Sequence, residues 1–461
     1  MDLTNIKQRL KKIVGDQYVL TSDVDLMLYG YDAYLETKRP DVVVIPESTE
    51  QVSRIVRLAY ETGVPVTARG AGTCLSGGPV PLKGGIVVHL SRMNRILEID
   101  VPNKRATVEP GVITLDLQTA AVKMGLQYAP DPASQKTSTM GGNVGENSGG
   151  PHCLKYGVTT NHVLGLKVVL YDGTVVELGG KAPDRPGYDL TGLMVGSEGT
   201  LGIVTEITVR LIEQPEAIKT MLAIFDSVED AGNTVSAIIA DGIVPATLEM
   251  MDKLIIQAVE DSIHAGYPRD AEAVLIIELD GLKDGMERLA DRIMNICRAN
   301  RVRDVKVAKD AAERDTLWTG RRGAFGAVSR LRPSYMVCDG TVPRTKLPQV
   351  LGEVKEISRK YNLPIANVFH AGDGNLHPII LFDIRDEDET IRVKKAGTEI
   401  LRSCVDAGGT ISGEHGIGFE KLVEMSFIFS QDDMAAMWKL KNALDPAGQL
   451  NPGKVLPSIS S

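Results

Sequence analysis

Between residues 69 and 205, short β-branched runs such as Ile86-Val87-Val88-His89-Leu90 and Leu166-Lys167-Val168-Val169-Leu170 alternate with clusters of glycine. Glycine loses more conformational freedom on ordering than any other residue, so this texture disfavours long helices. This half reads as α+β, built from loops held by sheets. Tyr171-Asp172-Gly173-Thr174, just before Val175-Val176, has the composition of a hairpin turn.

The flanks differ. Residues 4 to 14 read as an amphipathic helix, and Asp41-Val42-Val43-Val44-Ile45-Pro46 as a buried strand stopped by proline. Ser48 then starts a helix as N-cap, with Gln51 at capping-box distance. Gly63 ends it, and Val64-Pro65-Val66-Thr67-Ala68 resumes as strand, completing one βαβ block. Beyond residue 217 glycine thins out, and helical patterns at 228 to 241, 283 to 300 and 346 to 361 alternate with strands such as residues 273 to 279. The expected class is α+β. A chain of 461 residues exceeds one ordinary core. A first domain over 1–216 is expected, with its boundary at the polar Glu213-Gln214-Pro215-Glu216 link, then a second over 217–410 and a C-terminal segment over 411–461.

Composition narrows the function classes. Hydrophobic content of 43% with 24% charge is that of a soluble globular protein. A net charge of −9 without a basic stripe argues against non-specific binding to nucleic acid or to anionic membranes. The N-terminus lacks the apolar run of a secretory signal, and no window approaches a membrane span, so a cytoplasmic protein is expected, peripheral to a membrane at most. Cys74, Cys153, Cys297, Cys338 and Cys404 are scattered without a CxxC, which argues against an iron–sulfur cluster or a disulfide framework.

Four glycine-rich loops share the first domain. They are Arg69-Gly70-Ala71-Gly72-Thr73-Cys74-Leu75-Ser76-Gly77-Gly78, then Pro130-Asp131-Pro132-Ala133-Ser134, then Ser138-Thr139-Met140-Gly141-Gly142-Asn143 with Ser148-Gly149-Gly150, and last Gly196-Ser197-Glu198-Gly199-Thr200-Leu201-Gly202-Ile203. In the first, so little side-chain bulk lets successive backbone N–H groups face an anion closely, as a pyrophosphate requires. The Rossmann spacing fails there, because Leu75 stands where the third glycine belongs and a strand follows. One such loop merely turns a corner as often as not; four are better explained by a long ligand threaded between them.

Three of the seven histidines fall in two later turns, His370-Ala371-Gly372-Asp373-Gly374-Asn375-Leu376-His377 and Gly413-Glu414-His415-Gly416. If residues 372 to 375 form a four-residue hairpin loop, Ala371 pairs with Leu376 and His370 with His377. Their Cβ atoms would then stand about 5 Å apart, close enough to share a metal. Alone, this pattern is ordinary turn chemistry. With Glu414-His415 it offers two nitrogens, a carboxylate and open positions, which is a catalytic donor set accepting zinc, iron or manganese.

The order of these loops resembles the FAD domain of the vanillyl-alcohol-oxidase-like flavoproteins (the PCMH type), and in particular the FAD-linked 2-hydroxyacid dehydrogenases that include glycolate oxidase GlcD subunits and D-lactate dehydrogenases. The likeness runs from about residue 20 to Asn451-Pro452-Gly453-Lys454. It implies that the four loops, with Asn451, hold FAD, and that an α+β substrate or cap domain follows. It also implies that His370, His377 and Glu414 bind one divalent metal and that His415 is the general base. Thr73 stands where related oxidases carry a flavin-linking histidine, so non-covalent FAD is implied. The segment Trp318-Thr319-Gly320-Arg321-Arg322 resembles the one whose first arginine grips the substrate carboxylate, which singles out Arg321 for a bidentate contact.

The implied reaction oxidises a small D-2-hydroxy acid, with His415 taking the hydroxyl proton as the Cα hydride passes to the flavin. Val337 or Cys338 occupies the place where 2-hydroxyglutarate enzymes carry a lysine, which favours lactate or glycolate. Without cluster cysteines, the electrons must leave to an electron-transferring flavoprotein, an iron–sulfur subunit, or a quinone or cytochrome; the chain can also pair with itself. Two other readings are a non-catalytic flavin-binding subunit, which would not need both histidine turns, and an NAD-dependent dehydrogenase, disfavoured by the failed Rossmann spacing.

Overall fold

A computed structural model describes residues 3–182 and 186–458. The chain divides into two compact units. The first comprises Met1–Gly149, Gly157–Gln214 and Glu414–Ser461; the second comprises Gly150–Tyr156 and Pro215–Gly413. No helix among the described residues is long and apolar enough to cross a membrane.

The first unit opens with a four-stranded sheet of β1 (Val19–Leu20), β2 (Val42–Val44), β3 (Val66–Arg69) and β4 (Ile86–His89), in the order β1-β2-β4-β3. Here β4 inserts between the two strands of the βαβ block and runs parallel to both. Parallel strands covered on both faces are apolar throughout, and Val42, Val43 and Val44 are all fully buried. Val42 and Val44 face the helix Thr49–Thr62, whose Val52, Ile55, Val56, Leu58 and Ala59 join the same core, while Val43 packs with Val87 and Leu26. Ser48 caps this helix by accepting the Gln51 N–H at 3.3 Å, and Gly63 closes it at φ +67°. The Gln51 side chain reaches one residue further back than a capping box would place it, accepting from Glu47 N.

A second sheet is formed by β5 (Ile96–Asp100), β6 (Arg105–Val108), β8 (Val163–Val169), β9 (Val175–Gly179) and β10 (Ile203–Arg210), in the order β5-β6-β10-β8-β9. A small pair, β7 (Leu126–Gln127) with β11 (Ile212–Glu213), lies apart from it. The Tyr171–Thr174 segment is the turn between β8 and β9, with Leu170 N donating to Thr174 O.

The second unit is an antiparallel sheet of β12 (Ala217–Phe225), β13 (Thr247–Asp252), β14 (Ala273–Gly281), β15 (Asp304–Val307), β17 (Gly340–Thr341), β18 (Ile365–His370) and β19 (Asn375–Leu376), running β15-β12-β14-β13-β18-β19-β17. Off that path, β20 (Pro378–Phe382) pairs β18 and β16 (Ser334–Val337). The expected helices are found at Val228–Ala240, Met286–Ala299 and Leu347–Tyr361.

The His370 turn departs from its expected register. His370 pairs with Asn375, so the loop is Ala371–Gly374, and the same register pairs Asn367 with Pro378 and sets His377 across from Val368. Two changes favour this earlier closure. The Asp373 carboxylate accepts the Asn375 N–H at 3.2 Å, and Gly374 adopts φ +80°, where a Cβ would run into the Val342 carbonyl. The partner of His370 moves by two residues, so parity is kept and both imidazoles stay on one face. Gly374→Ala should therefore lower unfolding stability by about 1–3 kcal/mol, read as a fall in the urea midpoint at unchanged flavin content.

Candidate functional site

Unit one carries the four glycine loops. Arg69 ends β3 with only 5% of its surface exposed; its guanidinium carbon lies 5.9 and 6.0 Å from the ring centres of Tyr29 and Tyr31. Its Nη1 is buried and makes no hydrogen bond among the described residues, and neither do the amides of Ala71, Gly72 and Thr73. A buried cationic nitrogen beside a run of uncommitted amides fits a pyrophosphate. Gly70 lets this loop touch the third: any Cβ there would collide with Thr139 Oγ1.

Other residues singled out from sequence turn inward. Gly141, Gly142 and Asn143 lie not in a loop but in a short helix, Met140–Glu146, capped by Thr139; the amides of Gly141 and Gly142 are committed to Pro110 O and Thr139 Oγ1, and Asn143 Nδ2 donates to Thr114 Oγ1 at 2.8 Å. Asn451 is a stitch: its N–H reaches Val66 O, while Nδ2 reaches Gly78 O at 2.9 Å and Glu198 O at 2.7 Å. Ser148 accepts from Thr159 Oγ1 through its carbonyl, and Leu201 and Ile203 are buried in the cores beneath the fourth loop. Pro130, Asp131 and Ser134 lie in the segment before the third loop, where Ser134 O accepts the Thr137 and Ser138 amides.

Glu198, Asp32 and Lys454 were not singled out by sequence reasoning, and they hold the loops. Glu198 accepts the amides of Ile417 and Gly418 at 2.8 and 3.0 Å, and Asp32 accepts that of Gly77. Burial raises the Glu198 carboxyl above its ordinary range, and likewise lowers Lys454 to about 8 while its ammonium donates to Gly78 O and Val80 O. His415 is placed by the same scaffold, its carbonyl accepting from Ser76 Oγ at 2.9 Å.

Unit two carries the imidazole pair. The rings of His370 and His377 lie 5.0 Å apart, centre to centre, at 88°, and each offers a ring nitrogen within 4.8 Å of the other's. His370 Nδ1 meets Glu249 Oε1 at 2.7 Å, across the β13–β18 pairing of the same two residues. Arg321, on the helix Ala311–Arg322, directs Nε and Nη2 to the other oxygen of Glu249 at 2.7 and 2.6 Å. One turn earlier, Trp318 Nε1 donates to Glu278 on β14 at 2.8 Å. Two buried carboxylates on adjacent strands thus clamp one helix face. Burial opposes ionisation of Glu249, yet Arg321 and His370 outweigh it and hold the carboxyl below its usual range.

Asp339, fully buried, stands 3.8 Å from His377 and accepts Ser412 Oγ and the Gly413 amide. Glu414 follows Gly413 directly and opens the last segment of unit one. The donor chemistry suits a divalent ion: two imidazoles on one face, one of them oriented by a carboxylate. Glu249 and Asp339 were missed from sequence. The available signal was a carboxylate at mid-strand among apolar neighbours, Thr247-Leu248-Glu249-Met250-Met251.

The fold is that of the PCMH-type flavoproteins. Over nearly the whole chain it superposes on 4-ethylphenol oxidase from Gulosibacter chungangensis (TM-score 0.82, 21% identity, covering 99% of this chain and 97% of that one) and on p-cresol methylhydroxylase (TM-score 0.81, 18% identity, covering 98% and 96%). Residues 40–179 match the family described as FAD binding domain, and residues 214–455 the one described as FAD linked oxidases, C-terminal domain. The chain belongs to the FAD-linked oxidases and is an FAD-binding oxidoreductase. It is 46% identical to the glycolate oxidase subunit GlcD of Escherichia coli (strain K12), covering 100% of this chain and 92% of that protein, and 45% identical to the GlcD of Bacillus subtilis (98% and 96%). It is also 34% identical to a D-lactate dehydrogenase of Anaerostipes hadrus (96% and 94%).

His89, at the end of β4, gives the flavin unit an acid limit. Burial, reinforced by the Arg69 charge, lowers it from 6.5 to about 4. A folded value below the unfolded one means that the stability is present above pH 6.5 and is lost as pH falls through 4. The flavin-free protein should lose about 3 kcal/mol over that range. Chemical denaturation at stepped pH checks this, and His89→Gln should flatten the profile.

Proposed function

We propose that this protein oxidises a small D-2-hydroxy acid, D-lactate or glycolate, to the 2-oxo acid. The observation that carries the reading is the buried group of His370, His377 and Arg321, gathered within one unit of a chain whose other unit has the glycine loops of an FAD-linked oxidase. Bound non-covalently, as Thr73 implies, the flavin supplies the hydride acceptor, and one divalent ion, zinc, iron or manganese, supplies a Lewis acid toward the hydroxyl oxygen.

The chain's residues take the other roles. His370 and His377 hold the ion, joined by Glu414, which chain connectivity tethers to Gly413 and so to Asp339. His415 receives the hydroxyl proton at a ring nitrogen. Arg321 binds the substrate carboxylate. Since Glu249 occupies its Nε–Nη2 edge, the two-pronged grip falls to the end edge formed by Nη1 and the second Nη2 hydrogen. Arg69 and the amides of the first loop hold the pyrophosphate, with Asn143 and Asn451 shaping the loops that surround the flavin.

Electrons then leave to a separate acceptor, an iron–sulfur subunit or an electron-transferring flavoprotein, in the cytoplasm. That the GlcD relatives carry the word subunit in their names supports a partner chain. A non-catalytic flavin subunit would have no use for the buried Glu249, Arg321 and His370 network.

Anaerobic D-lactate or glycolate should bleach the yellow enzyme; a flavin that no hydroxy acid reduces sinks the proposal. His415→Ala should slow that reduction at least 100-fold with FAD retained. Arg321→Lys should raise the substrate KM by about 10- to 100-fold, a loss of about 1.5–3 kcal/mol, measured by initial rates with an artificial electron acceptor.

A further inference from the structure

We infer that Glu249 is a positioning residue that serves the metal ligand and the substrate-binding arginine at once. This rests on the reading above, in which His370 holds the ion and Arg321 the substrate carboxylate. The division of its two oxygens carries the inference. Oε1 receives His370 Nδ1 at 2.7 Å and the Thr247 hydroxyl at 3.2 Å, and Oε2 receives Arg321 Nε and Nη2 at 2.7 and 2.6 Å. Glu249 is fully buried, Arg321 is 3% exposed and His370 6%, so water cannot replace any of these bonds.

The geometry has two consequences. An ionised carboxylate only accepts, so the His370 nitrogen facing it must carry the proton, which leaves Nε2 as the ring's donor atom toward an ion. Second, the carboxylate takes the side edge of the guanidinium, which orients the plane and directs the end edge toward a ligand. One carboxylate therefore sets the imidazole tautomer and the guanidinium plane together. Displacing it on one side is felt on the other, because the same two-oxygen group is shared.

Thr247 steadies the arrangement from the same strand. Its hydroxyl bonds Oε1, and its strand partner is Glu278, which holds Trp318 on the arginine's own helix. The helix is thus fastened at two points one turn apart, and Glu249 couples it to the imidazole.

The test uses chelator-stripped, flavin-loaded enzyme titrated with Zn²⁺ alone, followed by KM measurements with whichever of D-lactate and glycolate bleaches the flavin. If His370→Ala leaves Zn²⁺ affinity intact, the metal reading fails and the inference with it. Where His370→Ala does abolish binding, Glu249→Gln should weaken Zn²⁺ affinity at least tenfold and raise KM at least tenfold at unchanged flavin content. Glu249→Asp should restore part of both. A Glu249→Gln enzyme with both constants within twofold of the parent overturns the inference alone, even if its thermal midpoint falls, since that would mark a merely structural acid. Should Glu249→Gln fail to fold, Thr247→Val, which removes a single bond to Oε1, should still weaken Zn²⁺ binding at least twofold, and no change there overturns the inference.

Discussion

The candidate site of the second unit is organised around the buried Glu249 carboxylate. Glu249 sits at the middle of a sheet, where an isolated carboxylate would cost far more than the few kcal/mol by which a domain is stable. It is tolerable because a guanidinium and an imidazole divide its two oxygens and a hydroxyl completes the set. Removing one partner from such a buried pair typically costs about 3–5 kcal/mol. The helix bearing Arg321 and the strand bearing His370 are accordingly held together by the same electrostatic requirement.

The first unit meets a different constraint with similar means. Its glycine loops have few side chains of their own to pack, so buried polar groups from distant parts of the chain hold them. Asn451 ties the first and fourth loops to β3, Glu198 fastens the 417–418 backbone, and Lys454 caps two carbonyls at the end of the first loop. His415 is delivered by this network through Ser76. His415 thus belongs to the first unit, while His370, His377 and Arg321 belong to the second. The chain passes from one to the other at Gly413, whose amide Asp339 holds.

Much of this was legible beforehand. The Ser48 cap, the Gly63 stop, the Tyr171–Thr174 turn and the helices of the second half follow from local chemistry, and local chemistry survives folding. The order of the glycine loops was enough to indicate the flavin family. Less was legible where strands choose partners. The insertion of β4 between β2 and β3, and the one-residue earlier closure of the His370 turn, depend on long-range pairing and on an Asp373 bond that competes with the simplest hairpin. The two imidazoles still meet, because the partner shift was even.

By itself, then, the sequence determined most of the element types and the class of cofactor. Those depend on composition and spacing, which are local. Tertiary structure alone decided which buried acids serve which cations. Glu249, Asp339 and Glu198 look alike in sequence, one carboxylate each amid apolar or glycine neighbours. They acquire distinct roles only when the fold excludes water and leaves each a single set of partners, 72 and 121 residues away in the case of Glu249.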